Sequence, residues 1–194
     1  MSLFAAVRVC SGEIMLDGVN IACVPLSRLR SSLSIIPQDP VLFSGTVRFN
    51  LDPGHTVDDA EIWNMLKIAQ LHELIQSLPH QLETVVTDAG DNFSVGQKQL
   101  FCLARALLRK SRVLVMDEAT ASIDVDTDRI IHEIVQEQLA DCTVFIIAHR
   151  LSTIRNCDMI VVLSDGYVVE TGPPSQLFAH SDGHFAKILA ENQL

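Results

Sequence analysis

Four consecutive apolar residues, Val113-Leu114-Val115-Met116, run straight into two acids, Asp117-Glu118. A run this short, with β-branched members and no helical period, reads as a strand buried on both faces. Asp126 to Leu139 then reads as a helix, and Thr143 to Ile147 as another strand. Strand, helix and strand in that order predict parallel β-α-β units, with ligands at the carboxyl ends of the strands. The chain is therefore expected to be of the α/β class.

The rest of the pattern elaborates that frame. Ile14 to Leu16 and Val19 to Ile21 flank Asp17-Gly18, the strongest short hairpin signal, and Ile160 to Leu163 and Tyr167 to Glu170 flank Asp165-Gly166 in the same way. Leu33 to Ile36 is a further strand, stopped by Pro37. From about Leu51 to Leu108 the pattern is all helical. Asp52-Pro53-Gly54 breaks the chain, and Ile62, Leu66 and Ala69 recur at helical spacing, so Asp58 to Ser77 reads as two helices ended by Pro79. Ser94 caps a helix whose apolar face is Leu100, Leu103, Ala104, Leu107 and Leu108. Gln176 to Leu194 reads as two closing helices. One partial domain over 1–194 is expected, with an α-helical subdomain at 51–108 inserted in a core made of 11–50 and 109–194.

Composition narrows the ligand. Of 194 residues 48% are apolar, enough for a substantial core, and the net charge of -10 is the opposite of a nucleic-acid footprint, so no nucleic-acid partner is expected. A small anion remains compatible, because backbone amides and a few cations suffice to bind one. The five cysteines are scattered without C-x-x-C spacing, which points away from a disulfide framework or zinc site and fits a reducing setting. The longest apolar runs are strand-length, so no direct membrane insertion is expected.

Consecutive side chains on a strand point to opposite faces, so of Asp117 and Glu118 one can hold Mg²⁺ while the other polarises a water. Taken alone, the same pair is also an ordinary strand end followed by helix-capping acids. Ser94 and the amides around Gly96 lie at a helix amino end, where unpaired N–H groups and the helix dipole attract an anion; alone, they are an ordinary serine cap. His149 after a strand, Gln38 in a loop and Asp124 before a helix each have an equally plain structural explanation.

Their order adds what no single motif carries. Met116-Asp117-Glu118-Ala119-Thr120-Ala121-Ser122-Ile123-Asp124 closely resembles the Walker B and D-loop segment of ATP-binding cassette (ABC) ATPases. Asn92-Phe93-Ser94-Val95-Gly96-Gln97-Lys98-Gln99-Leu100 is similar to their signature motif, Ile147-Ala148-His149-Arg150 to the switch-histidine loop, and Ile36-Pro37-Gln38-Asp39 to the Q-loop. Leu42 to Arg48 and Asn50 to Pro53 resemble the second nucleotide-binding domain of subfamily C, the multidrug-resistance-associated and sulfonylurea-receptor group. The resemblance implies a P-loop NTPase-like ABC core with a mostly parallel sheet, antiparallel hairpins and the inserted helical subdomain. It implies ATP and Mg²⁺ as cofactors, with Asp117 holding Mg²⁺ indirectly, Glu118 as general base, His149 on the γ-phosphate and water, and Gln38 on Mg²⁺ or water. Ser94, Val95, Gly96 and Gln97 would grip ATP held by an opposite nucleotide-binding domain, and Asp124 would face that partner. Val95 stands where the family has a second glycine. The parent would carry transmembrane domains, work at the cytoplasmic face of a membrane and export organic anions or drugs.

One family element is missing from these residues. None of the four lysines, Lys67, Lys98, Lys110 and Lys187, follows a glycine, so the phosphate-binding loop G-x-x-x-x-G-K-[ST] is absent from the sequence. The amino-terminal part is expected to be truncated, apolar surface left uncovered, and the chain alone inactive as an ATPase. The alternative is a non-catalytic regulatory or interaction fragment that offers its signature motif to a partner's ATP, or a fragment without function.

Overall fold

The computed structural model describes residues 2–117, 124–148 and 151–191, which fall into two compact units, Met1–Ile146 and Ile147–Leu194. In the first, β1 (Met15–Leu16) and β2 (Val19–Asn20) form the expected hairpin. Its turn residues Asp17 and Gly18 both have positive φ, 49° and 77°, as the tight turn demands. Helix α1 (Leu26–Ser31) leads into β3 (Leu33–Ile36), then β4 (Gly45–Thr46), α2 (Val47–Leu51), α3 (Asp59–Ile68), α4 (His72–Ser77) and β5 (Val85–Val86). Helix α5 (Val95–Leu108), β6 (Val113–Asp117), α6 (Val125–Gln138) and β7 (Thr143–Ile147) follow.

The central sheet has the order β3-β6-β7, and β3 runs parallel to β6 with Leu33 opposite Val113 through Ile36 opposite Met116. Ile36, Leu114 and Met116 on one face bury against Leu100, Phe101 and Leu103 of α5, Ile62 and Leu66 of α3 and Ile131 of α6. Each such side chain contributes about 1.5–3 kcal/mol by leaving water, which makes this cluster the main stabilising element of the unit. A smaller cluster of Ile21, Leu29, Leu33 and Val113 closes the other face near its amino end, with Leu3 and Phe4 against it.

The stretch expected to be wholly helical contains a short ladder. Val85–Val86 is extended and pairs with Gly45–Thr46, and two residues are too few to show a period in the sequence. That ladder and a polar clasp fix the chain beyond β3. Asn50 Oδ1 accepts from the Phe43 amide at 2.8 Å, its Nδ2 donates to the carbonyls of Phe43 at 2.8 Å and Thr46 at 3.1 Å, and Arg105 Nε of α5 donates to the Asn50 carbonyl at 2.7 Å.

The second unit comprises α7 (Leu151–Arg155), an antiparallel pair β8 (Ile160–Ser164) and β9 (Tyr167–Gly172), and helices α8 (Pro174–Ala179) and α9 (His184–Glu191). Asp165 and Gly166 make its turn at φ 50° and 82°. Val162, Leu177 and Phe185 form its core, and Glu170 ties β9 to the start of α9 by accepting from the Phe185 amide at 2.8 Å. Among the described residues no helix is long and apolar enough to cross a membrane.

Candidate functional site

Parallel pairing decides where the first set of candidates falls. Because Ile36 lies opposite Met116, Pro37 and Gln38 leave β3 beside the point where Asp117 ends β6. Adjacent strands run about 4.8 Å apart, and continuing this register sets Pro37 opposite Asp117, with Gln38 one residue further on in the loop. Gln38 is exposed and Asp117 half-buried. Both offer oxygen, the donor that a hard cation such as Mg²⁺ prefers, and water has access to complete its shell. Glu118 and His149, the other two members expected here, lie outside the described residues.

The second set gathers at the start of α5. Ser94 Oγ accepts from the Gln97 amide at 3.2 Å, while Gln97 Oε1 accepts from the Ser94 amide at 2.9 Å, a reciprocal capping box. The Ser94 hydroxyl thus uses a lone pair within the cap and keeps its own proton available. The amides of Val95 and Gly96 are left without an intrahelical acceptor, as at any helix start. Phe93 anchors this end, buried edge-on against Phe101 with ring centroids 5.0 Å apart.

Asp124 caps α6, accepting from the Thr127 amide at 2.9 Å and the Thr127 hydroxyl at 2.8 Å. Those two hydrogen bonds, the backbone one foremost, hold its exposed carboxyl below the usual aspartate range. The two helix starts meet at Gly96. A Cβ on Gly96 would come within 3.2 Å of Thr127 Oγ1 and 3.3 Å of Thr127 Cγ2, with Asp124 Oδ2 at 3.7 Å. Ser94, Gly96 and Gln97 are therefore brought together with Asp124, and Val95 stands exposed on the same end. This end combines outward amides, a free hydroxyl proton and a dipole that favours negative charge, which suits a phosphate approaching from outside.

Four residues escaped the sequence. Thr127 crowds the space a side chain at 96 would need, and only its place three residues after a capping aspartate hinted at it. Asn50, part of the subfamily resemblance only, and Arg105 form the clasp beyond Gln38, and nothing local to either residue signals the contact between them. Gln99, fully buried, donates from Nε2 to the Pro37 carbonyl at 3.1 Å. It sits one turn before Leu103 on the apolar stripe of α5, where a polar side chain is out of pattern.

Comparison with known proteins identifies the family. Residues 1–121 match the ABC transporter family. The chain is 49% identical over 191 residues to multidrug resistance protein mrp-7 of Caenorhabditis elegans, which covers 98% of this chain and 12% of that protein. It is 48% identical over 189 residues to ATP-binding cassette sub-family C member 8 of Homo sapiens, covering 97% of this chain and 12% of that protein. The chain thus spans about an eighth of these curated relatives. The solved structure of a bacterial Atm1-family ABC exporter with ATP bound superposes with a TM-score of 0.91 at 35% identity, over 100% of this chain and 34% of that one. The α/β architecture is that of an ABC ATPase, and the chain belongs to the ABC transporter family, in its sub-family C.

Proposed function

We propose that this chain is the nucleotide-binding part of an exporter and acts as one half of an ATP clamp, completed by a second nucleotide-binding domain in the same or a partner chain. The observation that carries this is the joint start of α5 and α6, where Ser94, Gly96 and Asp124 share one exposed end around Thr127. The Ser94 hydroxyl and the amides of Val95 and Gly96 donate to the terminal phosphate of ATP on the opposite domain, Gln97 holds the cap in shape, and Asp124 faces that domain. At this chain's own site Asp117 and Gln38 would hold Mg²⁺, directly or through water, and the ion would neutralise charge on the phosphates. Glu118 takes the proton of the attacking water as general base, and His149 donates to the phosphate; both roles rest on the family resemblance. ATP with Mg²⁺, when bound, supplies the reacting phosphoryl group and the charge these residues meet. Transmembrane domains outside these residues carry the cargo, organic anions or drugs, from the cytoplasmic face of a membrane.

A second role is favoured by a specific absence. Without a glycine-lysine phosphate loop in these residues, several charged hydrogen bonds worth about 1.5–3 kcal/mol each are unavailable to hold ATP at the chain's own site. The 194-residue chain alone then lends its α5 start to a partner's ATP and does not turn over its own. Association with a complete first nucleotide-binding domain of the family, measured by sedimentation with and without ATP, is expected to require ATP and to be lost in Ser94→Arg. Equal association of Ser94→Arg and parent would overturn the clamp. Magnesium-dependent ATP turnover by the chain alone, abolished by Glu118→Gln, would overturn the non-catalytic role.

A further inference from the structure

We infer that Gln99 is a positioning residue that ties Gln38 to the start of α5, so that the anion-gripping helix end and the metal-facing loop move as one piece. The inference rests on the proposed role of Gln38 at a nucleotide site. Gln99 is completely buried, and its Nε2 donates to the Pro37 carbonyl at 3.1 Å, joining residues 62 apart in sequence. A carbonyl can only accept, so this bond fixes which way the amide points. Its Oε1 is then buried with no hydrogen-bond partner among the described residues.

That stranded oxygen shows what the side chain is for. An unpaired buried acceptor costs free energy, whereas methionine or leucine would fill the same space beside Leu103 without stranding any polar atom. Packing therefore does not account for an amide at 99; the bond to Pro37 does. The proline ring fixes φ at 37 and the peptide unit is planar, so seizing the Pro37 carbonyl sets the direction in which the Pro37–Gln38 peptide departs from β3. On the other side, Gln99 is three residues from Gly96, on the same face of α5 and within one turn of the capped end. A displacement of that end is thus transmitted to Gln38 through a single hydrogen bond. The Asn50 and Arg105 clasp holds only the segment beyond, from Val41 onward.

The test is nuclear magnetic resonance on the 194-residue chain, with Mn²⁺ alone as the probe of the Asp117 and Gln38 oxygens. In the parent, nuclear Overhauser contacts between the Gln99 carboxamide protons and Pro37 or Gln38 are expected; their absence would overturn the tether without any variant. In Gln99→Met the melting temperature is expected to stay within a few degrees, while the order parameter of the Gln38 amide falls from about 0.85 to below about 0.6. Paramagnetic broadening by Mn²⁺ is expected to weaken several-fold at Gln38 and persist at Asp117. A purely structural role would instead lower the melting temperature and leave Gln38 as ordered as before, which would overturn the inference. If Asp117 is not broadened even in the parent, the metal-facing role of Asp117 and Gln38 fails by itself, and the tether is then judged on the order parameter of Gln38.

Discussion

The two faces of the β3-β6-β7 sheet carry almost the same apolar sequence and have different fates. On one, Ile36, Leu114 and Met116 are at most 2% exposed, and even Ser34 is sealed, its hydroxyl paired with that of Ser111 at 2.7 Å. On the other, Leu33 and Val113 are covered near the amino end, but one strand step further Ile35 is 40% exposed and Phe145 of β7 is 52% exposed. Alternation along a strand guarantees two apolar faces; it does not supply two covers. The sealed face has its cover because α5 packs on it, α3 and α6 join α5 in the same core cluster, and polar clasps hold the connecting chain. The open face shows how much apolar surface a parallel strand presents when its second layer stops short.

The largest effect that sharpens this contrast is expected at Ile36. Ile36→Ala deletes a fully buried side chain at the junction of β3 and α5 and should lower unfolding free energy by about 2–5 kcal/mol, read from urea denaturation of the chain. A loss under about 1 kcal/mol would mean that the helices do not seal this face in solution.

A smaller loss is expected from the clasps. Asp52 closes α2 and is buried; its Oδ1 accepts from the Thr56 hydroxyl and its Oδ2 from the Val57 amide, both at 2.9 Å. Burial alone pushes this carboxyl up, but the donors from Val57 and Thr56, with His55 nearby, together hold it below the usual aspartate range. Its stabilisation is therefore fully present above the ordinary value of about 3.9 and is lost as pH falls below that, through the lowered folded value. Asp52→Ala should cost about 1.5–3 kcal/mol near neutral pH, the usual worth of hydrogen bonds to a charged group, and the gap to the parent should close on acidification below pH 4. A gap independent of pH down to acid unfolding would show that Asp52 acts by packing and not by charge.

How much of this was legible follows from the range over which each cause acts. The strands Leu33–Ile36 and Thr143–Ile147 and both Asp-Gly turns were legible because short β-branched apolar runs and positive φ are local signals. So was the cap at Ser94, since a serine three residues before a glutamine is enough to specify it. The Val85–Val86 ladder was not, because its partner lies about forty residues away and two residues have no period. At the site, Asp117 and Gln38 were singled out by resemblance, whereas the placing of the end of β3 beside the end of β6 is a matter of register, which no single strand encodes. Asp124 was given two meanings, a partner-facing residue and a helix cap; the cap is present, and it is compatible with the first because the carboxylate remains exposed. Thr127 and Gln99 act across elements, on Gly96 and Pro37, and such contacts leave only an out-of-pattern residue behind.

The smallest energetic effect belongs to the open face and decides what that face does in solution. Ile35 pairs with Val115 in the same ladder that places Ile36 beside Met116, so backbone context is shared and only the side on which the side chain emerges differs. Ile35→Ala should therefore change unfolding free energy by no more than about 0.5 kcal/mol, as for a surface substitution. Combined with Phe145→Ser it should reduce concentration-dependent light scattering, because a contiguous apolar patch is what drives association. If Ile35→Ala costs as much as Ile36→Ala, the second face is covered in solution as tightly as the first. Its cover would then have to be another molecule, since within the chain these side chains reach water.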